Sequence, residues 1–417
     1  FFIAMFGSIA LAIIALNYVG GMDTLLQKLS SLLGTDIIHE NTLKFIPPIP
    51  DNSIGSLSFW ESPFSKFLIF ITVMWWSHHG TDGGGYIIQR MSSAKNEKHA
   101  LLATLWFNLA HYAVRVWPWI IVGVVSIVMF PVIPDSYSEL GTKAGYPLVM
   151  NMLLGPGMKG ILIVSFLAAF MSTIDTHLNW GASYIINDIY KRFFKPNESE
   201  KHYVIVSKVI TVILMILAAF TALKMQSISK AWAFIFSMGA GIGLVLILRW
   251  FWWRINAWSE ITALSTSIVI TILLETLAWW QVSAKEGVYS LFGTEPVLFG
   301  IQIQVHHKLI IIVPIAILSW LIATFITKPE PTEHLRKFYE KVQPGGWWGP
   351  ITTNFKHTLQ PVSEGILVQW IAGVMMIYGF TFGIGNLIFM QYGNSILLLG
   401  CAFIGSYIIW NRSISKL

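Results

Sequence analysis

Apolar residues run together in this chain for long stretches, and the polar residues gather between the runs. Ten runs fall at 2–20, 64–89, 99–130, 158–188, 202–223, 230–253, 258–280, 308–327, 366–389 and 394–410. A helix crosses the hydrocarbon layer with about 18 or more such residues. The pattern therefore predicts an all-α integral membrane protein of about ten transmembrane helices. One stretch between runs, "EPTEHLRKFYEKVQPGGWWGP", has a different period. Leu335, Phe338 and Val342 share a face at helical spacing, with Arg336, Lys337, Glu340 and Lys341 elsewhere. That predicts a short amphipathic helix within the loop 328–361, lying at the lipid interface with Trp347 and Trp348 as its anchors. A solvated linker is the competing reading.

Three runs carry polar groups that a lipid-facing helix does not need. In the fourth, "FMSTIDTHLNW", Ser172, Asp175, Thr176 and Asn179 are spaced i, i+3, i+4, i+7 and so form one stripe. Counted from Lys159, Ser172 lies about 20 Å along the helix, somewhat past the bilayer centre. A carboxylate near that depth costs a few kcal/mol unless it is paired or coordinates an ion. The donor set is all oxygen, which suits a hard cation. One carboxylate is too little charge for a calcium site, so sodium fits better. The bland alternative is that the Ser172 and Thr173 hydroxyls bond the carbonyls one turn back.

The second run gives only about 16 Å of helix over "KFLIFITVMWW" before "SHHGTDGGGYIIQR" interrupts it. A short apolar segment broken by glycine points to a discontinuous helix whose freed backbone lines a cavity. Metal binding by His78, His79 and Asp82 competes weakly, because adjacent histidines face different sides of a helix. A phosphate loop is weaker still, with no preceding strand and no lysine in place. The third run carries "NLAHYAVRVWPW", in which Arg115 is the one arginine of seven outside the loops. It follows His111 by one turn. Either it pairs with a buried acid such as Asp175 or Asp82, or it meets a solute.

Composition agrees with the membrane reading: 55% of residues are hydrophobic and 12% are charged, against about 25% charged in soluble domains. The net charge of +6 reads as topology. Alternate loops and the tail on one side hold 16 Lys/Arg against 9 on the other, which places that side and the carboxyl terminus in the cytoplasm and argues against nucleic acid as a partner. Cys401 is the single cysteine, so disulfides and thiolate metal sites are excluded. The chain shows no low-complexity tract and no obvious tandem repeat. It begins at Phe1 inside an apolar run, which leads us to expect further sequence upstream.

At these residues the chain resembles the sodium:solute symporter family, which shares the LeuT-type inverted-repeat fold. The fourth run, "AAFMSTIDTHLNWGASYIINDIYKRF", is similar to the family's pattern of small residues, a Ser/Thr pair, then "LN", closing on "DIY" and basic residues. "YIIQRMSSAKNEKHA" is similar to its Gln-Arg-x-x-x-Ala-Lys motif, and "RWFWWRINAWSE" and "LRKFYEKVQPGGWWGP" resemble one bacterial branch. The resemblance implies a Na⁺ coupling ion held by the Ala169 carbonyl and the Ser172 and Thr173 hydroxyls, with Asp175 and Thr176 where some members place a second sodium. It implies a solute contact at His111 and places Trp75 and Trp76 near the inner gate. The guanidinium fork of Arg115 separately suggests a carboxylate on the solute, held by Arg115 and His111 in a site lined with Trp75, Trp76 and Asn108. It also implies that residues 1–253 form a partial transporter core: the last helix of repeat one and all of repeat two. Residues 254–417 would then add four C-terminal transmembrane helices. The discontinuous first core helix has no counterpart in the sequence. The expected function is import of a small organic solute, a carboxylate or amino acid, coupled to sodium. An integral membrane enzyme such as an acyltransferase, with His111 or His177 as base, is the competing class. A transporter-like sensor module is the third.

Overall fold

The structure is a computed structural model that describes residues 2–34, 46–51, 56–225, 228–286, 295–298, 300–353 and 365–416. In chain order the first helices are α1 (Phe2–Val19), α2 (Gly21–Leu32), α3 (Leu57–Glu61), α4 (Pro63–Ile69), α5 (Trp75–Ser77), α6 (Gly84–Ser92) and α7 (Glu97–Asn108). Next come α8 (Val116–Met129), α9 (Gly145–Leu153), α10 (Pro156–Tyr184), α11 (Glu200–Lys224), α12 (Ile228–Met238), α13 (Gly243–Phe251) and α14 (Ala257–Glu286). The last are α15 (Val305–Ile326), α16 (Thr332–Val342), α17 (Gly349–Thr352), α18 (Ile366–Ile388) and α19 (Tyr392–Arg412). The strands β1 (Val297–Leu298) and β2 (Ile301–Gln302) form a small antiparallel pair before α15. Among the described residues, seven helices are long and apolar enough to cross a membrane. Two bent pairs bring the number to nine: α1 with α2 at 69° and α12 with α13 at 43°. The remaining run, 64–89, is the broken one. The protein is therefore a multi-pass, predominantly helical membrane chain.

Two compact units interleave along the sequence. One comprises Phe1–Leu43, Leu105–Leu223 and Val374–Ser406. Its core forms where α1 packs on α8, α9 and α10, burying Leu11, Ala15, Val122, Val125, Val149 and Leu162. The turn from α1 into α2 needs two successive left-handed residues, Gly20 at φ +100° and Gly21 at φ +91°, which a side chain would strain. Covering is uneven: α10 buries little of its membrane-length window and α11 none.

The other unit comprises Lys44–Thr104, Lys224–Gly373 and Tyr407–Leu417. Here α14 and α15 pair closely, and Lys308 of α15 forms a largely buried ion pair with Glu275 of α14. Two clusters build the core, one around Ile69, Ala240, Leu309 and Ile312, the other around Val245, Ala263 and Trp320. The run 230–253 reads as one helix in sequence but breaks between α12 and α13, where Gly239, Gly241 and Gly243 recur at every second position. Each lets another group in: a Cβ on Gly241 would stand 2.2 Å from that of Ala316, and one on Gly243 would stand 2.1 Å from the Trp76 carbonyl oxygen. Backbone-to-backbone approach, rather than side-chain packing, joins α13 to the end of α5.

The amphipathic stretch does form a helix, α16, but its apolar face covers protein. Leu335 and Phe338 pack with Trp348, Ile351 and Trp253. Trp348 is 3% exposed, stacks on Phe338 at 5.5 Å and donates its indole N–H to the Trp250 carbonyl at 3.2 Å. It is a core residue, not the headgroup anchor its neighbour Trp347, 64% exposed, can still be. Between the two readings lies one backbone fact. Residues 346–348 form a strap along the end of α13, with the Trp347 amide on the Phe251 carbonyl at 2.6 Å and the Trp253 amide on the Trp347 carbonyl at 3.3 Å. Gly346, at φ +96°, passes so near that a Cβ would meet the Phe251 oxygen at 2.4 Å.

Candidate ion and solute site

α10 starts with Pro156 in its first turn, where a missing N–H costs nothing, and runs 29 residues without a break. Its polar groups close on one another at i, i+4. The Thr173 hydroxyl donates to the Ala169 carbonyl at 2.9 Å, and the Thr176 hydroxyl donates to the Ser172 carbonyl at 2.9 Å. The Asn179 amide donates to one oxygen of Asp175 at 3.0 Å. The back-bonding alternative is thus realised for Thr173 and Thr176. It does not remove them as ligands, since a hydroxyl that donates still has lone pairs for a cation. Ala169, Ser172, Thr173 and Asp175 are exposed and Thr176 is half-buried. The helix presents carbonyl, hydroxyl and carboxylate oxygens on one uncovered face.

In the same unit, the last turn of α7 does not run straight into α8. A π-helical turn over Leu109–Val114 joins them, closed by the Arg115 amide on the Ala110 carbonyl at 2.9 Å. Such turns insert one residue and recur at functional sites. This one holds His111 stacked on Phe107, with ring centroids 5.1 Å apart. The Arg115 guanidinium donates to His111 Nδ1 at 3.2 Å and lies over the Trp119 ring at 4.8 Å. Since Nδ1 accepts, neutral His111 carries its proton on Nε2, where it can donate to a solute. Among the described residues, Arg115 makes no ion pair with either expected acid. Asp175 holds Asn179, and Asp82 is held elsewhere. Asn108 forms the last residue of α7, half-buried beside this turn.

In the other unit the run 64–89 is discontinuous, as the glycines predict. A π-helical turn at Phe70–Met74 precedes α5, and the chain then leaves helical geometry from His78 to Gly83. Polar side chains satisfy the freed backbone. His78 Nδ1 accepts the Gly80 amide at 2.9 Å, the Thr81 hydroxyl donates to the Trp75 carbonyl at 2.8 Å, and Asp82 accepts the Gly84 amide at 3.0 Å. The second Asp82 oxygen takes Arg249 of α13 at 2.6 Å, and Arg249 also reaches Glu260 of α14 at 3.1 Å. Asp82 is thus an ion-pair partner within this cluster and not a third ligand beside the two histidines. His78 meets Phe236 of α12 at 5.9 Å between ring centroids, and Phe236 stacks on Trp232. His79 fits against Gly239. Of the two tryptophans proposed for solute, Trp76 is packed in the core and donates its N–H to the Thr72 carbonyl at 2.6 Å, whereas Trp75 stays exposed. Sequence reasoning missed the gathering of His78, His79, Phe236 and Trp232. The signal was the Gly-x-Gly-x-Gly run at 239–243, which marks a second backbone break.

A family model described as Sodium:solute symporter family matches residues 2–286. The chain belongs to that family. Among curated relatives, the osmoregulated proline transporter of Bacillus subtilis (strain 168) is 25% identical over 42% of this chain and 36% of its own length. The high-affinity proline transporter of the same organism is 30% identical over 34% of this chain and 29% of its own length. Sodium/glucose cotransporter 1 of Oryctolagus cuniculus is 23% identical over 80% of this chain and 52% of its own length. The chain thus spans between about a third and a half of the length of these members. The family match takes in the oxygen stripe, the π turn and the broken helix, and ends at Glu286, before α15.

Proposed function

We propose that this chain serves sodium-coupled symport of a small organic solute by alternating access, as a transporter and not as an intramembrane enzyme. The observation that carries this reading is the oxygen stripe of α10. Sodium is held by the Ala169 carbonyl with the Ser172 and Thr173 hydroxyls, and a second ion by Asp175 and Thr176. The solute meets Asn108, His111 and Arg115. On the broken helix of the other unit Trp75 and Trp76 remain the candidates, of which Trp75 is exposed and Trp76 is committed to packing. The relatives' names include both proline and glucose carriers. A guanidinium fork beside an imidazole N–H matches a carboxylate in two parallel hydrogen bonds, so Arg115 favours an acid or amino acid over a sugar. The apolar spans and the family support a multi-pass location in the cell membrane, plasma or inner, and the Lys/Arg distribution supports a cytoplasmic carboxyl terminus. Division of labour follows the sequence: residues 1–253 handle ion and solute, and residues 254–417 support them from the bilayer.

The test is sodium-dependent uptake. Ser172→Ala/Thr173→Val is expected to raise the sodium concentration for half-maximal uptake tenfold or more, which corresponds to about 1.4 kcal/mol or more of lost binding. Unchanged sodium dependence in that variant rejects the assignment.

A further inference from the structure

A cavity of about 670 Å³ opens in the second unit beside the broken helix, within the range of roughly 300–1,000 Å³ typical of small-molecule sites. Its wall is aromatic and aliphatic: Trp75, Phe251, Leu367 and Trp370 line it, and the Trp75 and Trp370 rings stand 5.3 Å apart. Its polar end is Thr81 and Asp82. The wall faces outward, since Trp75, Leu367 and Trp370 are 45%, 64% and 49% exposed. In a membrane-spanning chain such a surface meets lipid. Its depth follows from its lining: Ile366, Leu367 and Trp370 belong to the first turns of α18, Val342 ends α16, and Pro344 lies between α16 and the strap. The cavity therefore lies where spans leave the apolar layer, the level at which tryptophan belts and lipid headgroups meet.

The charge at the polar end is uneven. Behind the lining, Arg249 is shared by Asp82, which lines the cavity, and Glu260, which does not, so the cluster backing the polar end carries one negative charge in excess. Asp82 uses one oxygen for Arg249 and the other for the Gly84 amide, which leaves lone pairs on both. Aromatic faces beside an excess carboxylate attract an ammonium group, and a long apolar wall leading from it accommodates an alkyl chain. We propose that this cavity binds a bilayer phospholipid with an ethanolamine headgroup, its ammonium at Thr81 and Asp82 and one acyl chain along Trp75 and Trp370. The cavity shares Trp75 with the solute candidates but takes no residue from the oxygen stripe or the π turn, and it stands whether or not their assignment holds.

Native mass spectrometry of the chain, released from detergent with equimolar dioleoyl phosphatidylethanolamine and dioleoyl phosphatidylglycerol, reads the preference directly. Retention of the ethanolamine lipid at tenfold or more over the glycerol lipid is expected. Asp82→Asn is expected to cut that ratio at least fivefold. Should that variant fail to fold, Glu260→Gln removes the excess charge while leaving the Asp82–Arg249 pair, and is expected to lower the ratio likewise. Leu367→Trp, which fills the cavity from an exposed position, is expected to reduce retention of both lipids. Equal retention of the two lipids overturns the proposal, as does a preference that survives both charge variants. Retention of added dodecylamine with neither lipid overturns the lipid assignment.

Discussion

α10 and the segment from Trp75 to Gly84 both carry polar groups into an apolar run, and they dispose of them in opposite ways. On α10 three of them close on their own helix one turn away: Thr173 on Ala169, Thr176 on Ser172, Asn179 on Asp175. The backbone stays intact and the oxygens remain on an uncovered face. In the broken segment the side chains mend a ruptured backbone, and the charge that is left reaches across 167 residues to Arg249. The first arrangement leaves oxygens available to an ion. The second commits its groups to holding a bend, though Asp82 keeps spare lone pairs at the cavity. A polar residue in a membrane helix is therefore diagnostic of ligand binding only where its bonds leave it lone pairs and an open face.

The sharpest way to break this comparison is through glycine. Gly243 of α13 abuts the Trp76 and Ser77 backbone, whereas Gly160 of α10 has nothing within 4 Å of where its Cβ would stand. Gly243→Val is expected to abolish the folded, monodisperse protein in size-exclusion chromatography. Gly160→Ala is expected to leave it unchanged. Equal behaviour would mean that the close approach is not what positions the break.

The strap gives the next largest effect. Trp348→Ala removes a buried indole and its hydrogen bond and is expected to destabilise the chain by about 3 kcal/mol in detergent unfolding. Arg115→Lys keeps the charge of the π turn but loses the planar fork. It is expected to weaken solute affinity several-fold while leaving sodium half-saturation unchanged. A sodium defect of similar size would tie Arg115 to the oxygen stripe instead. Trp347→Ala, one residue from Trp348 but exposed, is expected to shift stability by no more than about 0.5 kcal/mol.

How much of this was legible follows from where each interaction closes. The stripe on α10 needed only helical spacing, and the break after Trp76 needed only the glycines at 80 and 83–85. Nothing in the spacing of Asp82 or Arg249 tells that they meet, because the pairing depends on how α13 docks. The same holds for Trp348, whose burial arises from the strap. The repeating glycines at 239–243 were visible and did signal the second break; read as part of a continuous apolar run, they were masked by the hydropathy around them. The π turns leave no mark in composition at all, since Leu109–Val114 is as good an α-helix former as its surroundings.

That last turn has a consequence for how the helix can change. Successive α-helical residues are rotated by about 100°, so one inserted residue sets the phase of everything that follows. Across Leu109–Val114 the surplus residue fixes the angular position of Arg115 relative to α7. Losing it, by deletion of Ala113 for example, would swing the guanidinium about a quarter of the way around the axis with every side chain chemically unaltered. The polarity this helix presents is thus a matter of phase as well as of residue type, and it can be re-aimed by a single-residue indel.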